Sequence, residues 1–600
     1  MRSEDPEKGD GTIADHVAQL RQELSRRGLD GFVIPHADEH QGEYVPPSAL
    51  RLAWITGFTG SAGLAVVLAD RAALFIDGRY TLQAAQQVDG HLFEQIHLID
   101  RPPHQWLAAS LRAGTRLGYD PWLHTPNAVE QMRQSCVKAN AHLVACDGNP
   151  LDAVWTDRPA SPRMPAVPHP IAFSGRDAAE KRADLARILE TDKVDAVVLS
   201  APDSIAWLLN LRGADVPYTP LPLSFAVAHR DATVDLFIDP AKLSADTAVH
   251  LGKAVRTAPP VGLGPALDGL SHKHVRLDPA TVPAWIADRL GAAGAHIERG
   301  ADPCILPRAC KNPVELAGTR LAHRRDGAVL TRFLAWLSET AGTGKLTEIS
   351  VAATLDGFRK GGEHYRGPSF PTISACGPNA ALPHYQASAA SDRRLTEGQL
   401  YLVDSGGQYL DGTTDVTRTV AIGRCGGEER RHFTLVLKGH IALARVRFPK
   451  GTTGSQLDGL ARQYLWAEGL DYDHGTGHGV GSYLGVHEGP QRISKMPSPQ
   501  ALLPGMVISN EPGYYRTGAY GIRIENLQAV RPWTGTAERE TLEFETLTLA
   551  PIDLALIERD LLSKDEADWL NAYHSRVRKE LTPLLDAPTA DWLAGATREI

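Results

Sequence analysis

The sequence is poor in several features that would fix its class at once. Its 600 residues include six cysteines (Cys136, Cys146, Cys304, Cys310, Cys376 and Cys425), scattered and with no Cys-x-x-Cys pair. That count excludes a disulfide framework and reads as thiols in a reducing compartment. No apolar run reaches the roughly 18 residues a membrane span needs. The first ten residues, Met1 to Asp10, lack the apolar core of a secretory signal and carry nothing catalytic. Cytoplasmic residence without a membrane partner is the expectation. There is no basic surplus either: the net charge is −9, which argues against nucleic acid as partner. Neither His-Glu-x-x-His nor Gly-x-Ser-x-Gly occurs. The glycines from Gly475 to Gly481 lack dinucleotide-loop spacing. Gly342-Thr-Gly-Lys345 is no phosphate loop, because Glu339 and Leu346 stand where glycine and Ser/Thr are needed.

What is there is a globular composition, 43% apolar and 22% charged, on a chain too long for one core. Ile13, Val17, Leu20 and Leu24 mark a first helix stopped at Gly28, and Gly31 to Ile34 a strand. Helical and strand patterns then alternate, so the region is α/β. The pattern recurs. Val194 to Leu199 echoes Leu29 to Ile34, Ile205 to Gly213 echoes Leu52 to Gly60, and Leu236 to Asp239 echoes Leu74 to Asp77. The order is kept, so a duplicated domain is expected, with the Pro-rich stretch 158–168 as linker. Asn312-Pro313 reads as an N-cap and first helical residue that open a third domain. Ser563 and Glu566 form a capping box before a terminal helix bearing Leu570, Tyr573 and Val577. The expected division is 1–155, 156–311 and 312–600.

The third domain holds the chemistry. Asp404, Asp415, His478, Glu511 and Glu525 are four carboxylates and one imidazole, all in Gly-rich or turn contexts. Asp404 ends an apolar run and Asp415 follows an Asp-Gly turn, so Tyr401 to Gly423 reads as a strand pair that can bring both to one face. Glu511 and Glu525 flank a Gly/Tyr-rich turn and could meet across a hairpin. Glycines around His478 allow close backbone approach. Singly, each carboxylate reads as a solvated loop residue; together they would repel unless cations balanced them. Two divalent ions cancel four charges. Oxygen-rich ligation with one imidazole favours Mn²⁺, with Fe²⁺, Co²⁺ and Zn²⁺ open. Such a pair would share a hydroxide and polarise a carbonyl. His384, His474 and His487 stand beside these residues as candidates for holding an oxyanion and steering the leaving nitrogen. Arg523 falls on the strand face of Glu525 and could orient a carboxylate from behind the ligands. His323, His364 and His574 read as ordinary surface or core histidines.

Ser369-Phe-Pro-Thr-Ile-Ser374, Asp404-Ser-Gly, Asp411-Gly-Thr-Thr-Asp-Val-Thr-Arg-Thr419, His474-Gly-Thr-Gly-His-Gly-Val-Gly-Ser482, Asn510-Glu-Pro-Gly-Tyr-Tyr515, Gly521-Ile-Arg-Ile-Glu-Asn526, Trp569-Leu-Asn-x-Tyr-His574 and Asp77-Gly-Arg-Tyr80 carry a resemblance. Together with the duplicated region, these motifs resemble the creatinase/prolidase/aminopeptidase P metallopeptidases, and among them the long three-domain cytosolic Xaa-Pro aminopeptidases. The resemblance implies two creatinase-like α/β domains followed by a pita-bread catalytic domain. It implies two Mn²⁺ ions, Asp404 and Asp415 on one, His478 and Glu511 on the other, with Asp415 and Glu525 bridging. It gives Glu511 the proton of the attacking hydroxide and places His384, His474 and His487 along the substrate. The implied substrates are peptides with proline second, and the implied assembly is a homodimer through the third domain. Pro383, Arg516-Thr517 and Ala375-Cys376 depart from the expected pattern, and none removes a ligand. A prolidase confined to dipeptides is disfavoured by the extra domain. Creatinase chemistry does without these ligands, and a peptide-binding module would not need them.

Overall fold

The computed structural model describes residues 11–600. The stretch from Met1 to Asp10, read above for a leader and a catalytic part, lies outside them. Two compact units are present. The first contains the residues through His169, Arg176–Pro217 and Leu221–Cys304; the second contains Pro170–Gly175, Tyr218–Pro220 and Ile305–Ile600.

The first unit is built from two six-stranded sheets. One uses Gly31–Pro35, Leu64–Leu68, Ala72–Ile76, Glu94–His97, Arg116–Tyr119 and His142–Ala145. The other uses Ala196–Leu199, Phe225–His229, Val234–Phe237, Val255–Ala258, His274–Leu277 and His296–Arg299. Counted along the chain, both sets lie in the order 4-3-2-1-5-6. In both, pairs 1–2 and 2–3 are antiparallel, and pairs 3–4, 1–5 and 5–6 are parallel. The duplication read from three short echoes therefore extends to strand order and direction. The central strands are apolar throughout because both faces are covered. Successive residues alternate between two cores. Phe32 and Ile34 pack with Leu20 and Leu24 of helix Ile13–Arg26, while Val33 packs with Trp106 and Met132. The Pro-rich linker is irregular only as far as Val167–Pro168, which pairs with Leu211–Arg212.

The long first helix of the third domain begins where the capping signal lies. The Asn312 side chain accepts from the Val314 and Glu315 amides and opens helix Pro313–Thr340. Ser563 and Glu566 cap helix Lys564–Leu581 in the same way. Strand Gln399–Ser405 is central in a three-stranded antiparallel sheet, flanked by Ile373–Cys376 and Val416–Ile422. A six-stranded sheet includes Gly477–Gly479, Val507–Asn510 and Asn526–Pro532. A hairpin, Gly513–Arg516 with Tyr520–Arg523, continues from it. Among the described residues no helix is long and apolar enough to cross a membrane. No disulfide joins the six cysteines.

Candidate active site

Register explains how residues far apart in sequence meet. Along Gln399–Ser405, Tyr401 and Val403 point into the core formed with Phe333 and Leu334 of the long helix. Asp404 has the opposite parity and faces the other way. Asp404 pairs with Thr417 across the ladder, and Asp415 is the residue before strand Val416–Ile422 begins. The two aspartates sit side by side at the end of one strand pair. In the other half, Asn510 faces Asn526 and Gly513 faces Arg523. Both pairs keep one register, so Glu511 lies opposite Glu525 where the ladder is interrupted. His478 stands on Gly477–Gly479, between Ile508 and the strand Glu488–Ile493. The glycines flanking it are a steric requirement. A Cβ on Gly477 would lie 2.1 Å from the Ser509 carbonyl oxygen, and one on Gly479 would lie 2.1 Å from that of Glu488.

The five residues converge. Asp415, His478 and Glu525 each offer a ligand atom, all within 4.8 Å of one another. His478 Nε2 is 3.5 Å from Asp415 Oδ2 and 3.3 Å from Glu511 Oε1. His478 Nδ1 donates to the Gly479 carbonyl at 2.9 Å, which leaves the Nε2 lone pair directed at two carboxylate oxygens. That arrangement needs a positive charge between them, either a proton or a cation. Burial opposes a charged His478 ring, yet the hydrogen bond to Asp415 and the field of Glu511 outweigh it and raise its pKa to about 9. Burial, with the neighbouring carboxylates opposing Arg523, pushes Asp404 up to about 7. Burial and the charges of Asp415, Asp404 and Glu511 push Glu525 well above the carboxylate range. Asp404 Oδ1 and Asp415 Oδ1 are buried with no hydrogen-bond partner among the described residues. Crowded, buried acceptors with protons forced onto them are what a site for divalent cations looks like without its charge. The donor set of four carboxylates and one imidazole fits two such ions.

Arg523 is buried and holds the carboxylates from behind. Its Nη2 donates to Asp404 Oδ2 at 2.6 Å and its Nε to Thr417 Oγ1 at 2.9 Å; Thr417 in turn donates to Glu525 Oε2 at 2.7 Å. Nη1 donates to the Tyr515 hydroxyl oxygen at 2.7 Å and to the Pro383 carbonyl at 3.3 Å. The Tyr515 hydroxyl meets His474 Nε2 at 2.8 Å, while His474 Nδ1 donates to the Gly475 carbonyl. These partners make Nε2 the acceptor in the neutral ring.

The three accessory histidines lie around this cluster on less regular backbone. His474 Nδ1 is 3.9 Å from Glu511 Oε2. His487 is exposed and packs edge-on against His478, with ring centroids 4.3 Å apart. His384 is half-buried in a turn and follows the Pro383 carbonyl that Arg523 binds. The loop carrying His384 is tied down by Glu348, a fully buried carboxylate that accepts from the Cys376 and Arg393 amides, Asn379 Nδ2 and the Tyr385 hydroxyl. Arg516 is ion-paired with Glu428. His323 and His574 are core residues, and His364 packs against Phe173.

Sequence reasoning missed Thr417, Tyr515, Ser509 and Glu348. Thr417 and Tyr515 lie inside the motifs named above, but neither residue type marked a role there. Ser509, which takes the His478 amide and donates to Glu511 Oε1 at 3.1 Å, carried no signal.

Comparison with known proteins agrees with this geometry. Residues 317–532 match metallopeptidase family M24, and 540–600 match the C-terminal region of peptidase M24. Residues 16–154 and 157–315 each match the creatinase/prolidase N-terminal domain. A probable Xaa-Pro aminopeptidase P of Paracoccidioides brasiliensis is 41% identical over 614 aligned positions, covering 98% of this chain and 99% of the relative. The chain belongs to metallopeptidase family M24. A probable Xaa-Pro aminopeptidase P of Aspergillus niger is 40% identical, again across 98% of this chain and 99% of that one. Among solved structures, an X-prolyl aminopeptidase of Caenorhabditis elegans, described as a cytosolic enzyme with a di-nuclear active site, superposes with a TM-score of 0.94. It is 36% identical and covers 98% of this chain and 100% of its own. The two creatinase-like domains and the C-terminal pita-bread domain expected from sequence are present.

Proposed function

We propose that this M24 chain is a metalloaminopeptidase that hydrolyses the N-terminal Xaa-Pro bond of peptides. The observation that carries the reading is the convergence of Asp404, Asp415, His478, Glu511 and Glu525, with the His478 Nε2 lone pair aimed at two carboxylates. The full-length similarity to proteins named for Xaa-Pro cleavage supports the substrate class. Those five residues would hold two divalent ions. Bound there, the ions would lower the pKa of water and polarise the scissile carbonyl. The ion we assign is Mn²⁺, since four oxygen donors favour a hard cation, with Co²⁺, Zn²⁺ and Fe²⁺ as competitors.

The chain's own residues do the rest. Glu511 takes the proton from the attacking water at a carboxylate oxygen and delivers it to the leaving nitrogen. His384 and His487 donate to the developing oxyanion, and with His474 they line the path of the peptide. Tyr515 and Arg523 keep His474 in one tautomer. The bond before proline is a tertiary amide with no N–H, so the site needs no acceptor for that hydrogen. We divide the chain at 1–155, 156–311 and 312–600; the repeated strand order and the capped start of helix Pro313–Thr340 support this. Cytoplasmic location is supported by the six cysteines without a disulfide and by the cytosolic relative. A homodimer through the third domain, with no nucleic acid or membrane partner, completes the reading and rests on family resemblance.

The test is release of the first residue from an Arg-Pro-Pro peptide, lost with chelator, restored by Mn²⁺, and absent in Asp415→Ala. Turnover of Xaa-Ala peptides with none of Xaa-Pro would refute it. Turnover of dipeptides alone would make the protein a prolidase. Sedimentation of the purified chain tests the dimer.

A further inference from the structure

Two side chains outside the five-residue cluster are bonded to the neighbours of both aspartates. Asp326 lies on helix Pro313–Thr340 and Arg359 ends helix Glu348–Arg359; they are 3% and 0% exposed. Arg359 Nε donates to Asp326 Oδ1 at 2.8 Å, and Nη2 to Oδ2 at 3.2 Å. Nη2 also donates to Ser405 Oγ at 3.0 Å. Thr414 Oγ1 donates to Asp326 Oδ2 at 3.1 Å, and the Tyr409 hydroxyl donates to Oδ1 at 2.8 Å. Ser405 follows Asp404, and Thr414 precedes Asp415.

Strand parity gives these contacts their meaning. Residues adjacent in a strand point to opposite faces. Where Asp404 faces the site, Ser405 faces the helices, and Val416 beyond Asp415 faces the same helical core. One buried ion pair thus grips, from the back of the sheet, the immediate neighbours of two residues that must stay a fixed distance apart at the front. Two further bonds close the same neck: the Gly407 amide donates to Thr414 Oγ1 at 2.9 Å, and Ser369 Oγ donates to the Thr414 carbonyl at 2.8 Å.

The attraction between the two charges does not by itself account for this pair. Replacing a buried ion pair by apolar residues of similar volume is often neutral or stabilising, because desolvation offsets the attraction. Arg359 Nη1 even lacks a partner among the described residues. What an apolar pair cannot supply is direction.

We propose that Asp326 and Arg359 are positioning residues that set the separation of Asp404 and Asp415 before any cation arrives. The inference rests on the dinuclear reading above. It is tested on the full-length apoprotein by titrating Mn²⁺ alone in a calorimeter and by recording the unfolding temperature with and without Mn²⁺. Asp326→Leu/Arg359→Met takes these partners from the buried Tyr409, Thr414 and Ser405 hydroxyls, so the apoprotein's unfolding temperature is expected to fall. The double variant should weaken Mn²⁺ binding about 10- to 100-fold, the range found when groups behind metal ligands are removed, and shrink the Mn²⁺-dependent rise in unfolding temperature. Ser405→Ala removes one link and leaves the ion pair; it decides the matter if the double variant does not fold, and is expected to weaken binding about threefold to tenfold. Lys242→Met breaks a buried pair with Asp215 in the other unit. It should lower the apoprotein's unfolding temperature and leave the Mn²⁺-dependent increment alone. Parental Mn²⁺ affinity in Ser405→Ala and in any folded double variant would overturn the inference. Failure of the parent protein to bind Mn²⁺, Co²⁺ or Zn²⁺ in the same titration would instead refute the dinuclear reading.

Discussion

The carboxylate floor and the histidine rim of the site are held in different ways. Asp404, Asp415 and Glu525 are buried on or beside ladder strands; Arg523 bonds Asp404 from behind, and Thr417, which Arg523 also holds, bonds Glu525. His384, His474 and His487 stand on turns and loops, half-buried or exposed. The floor has one geometry because backbone register imposes it. The rim stands on irregular backbone, outside any ladder. Positioning on strands is worth most where cations demand fixed distances.

The comparison breaks most sharply at the floor. Asp415→Ala removes an oxygen donor from the centre of the cluster, and activity should fall at least about a thousandfold, or about 4 kcal/mol. Steady-state kinetics with metal analysis checks this. Arg523→Lys keeps the charge and loses the planar fork that reaches Asp404, Thr417 and Tyr515 together. Mn²⁺ affinity should drop about 10- to 100-fold, read by calorimetric titration. At the rim the loss should be smaller and leave the metal untouched. Tyr515→Phe removes the O–H that selects the His474 tautomer, and kcat/KM should fall about tenfold at unchanged metal content. Loss of metal in that variant would show that rim and floor are one structure.

Beneath the floor the expected effect is on stability and not on activity. His440 is buried, donates from Nδ1 to the Asn510 carbonyl at 3.1 Å and accepts at Nε2 from Asn526 Nδ2 at 3.1 Å. These are the neighbours of Glu511 and Glu525. Burial, helped by Arg418, drops its pKa to about 3. Above pH of about 6.5 the ring is neutral in both the folded and the unfolded chain. Below it the unfolded chain takes a proton that the folded one refuses until about pH 3. Stability is therefore lost as pH falls through this window, by up to about 1.4 kcal/mol per pH unit. Chemical denaturation of His440→Gln between pH 7 and 5 should show a shallower slope than the parent.

Much of this was legible in the chain. The helix caps at Asn312 and Ser563 are local chemistry, so they held. The repeated α/β pattern was legible because a strand covered on both faces must be apolar along its length. The Glu511–Glu525 pairing was legible because a hairpin has one register. Less local features were not. Nothing around Thr417, Ser509 or Glu348 distinguishes them from other polar residues. Their roles come from partners that lie 108, 31 and 37 positions away in the sequence, Glu525, His478 and Tyr385. The short strand Val167–Pro168 hid in a Pro-rich stretch for the same reason, since only its partner makes it a strand.

By itself the sequence determined the residue types that can hold cations, the caps that start the helices, and the duplication of the first domain. Each depends on groups a few residues apart or on a pattern repeated whole. Only the tertiary structure decided which oxygen of Asp404 meets Arg523, which nitrogen of His478 is free, and that an ion pair behind the sheet grips Ser405 and Thr414. Those facts depend on distances and directions between separate elements, and the packing of helices against strands fixes them.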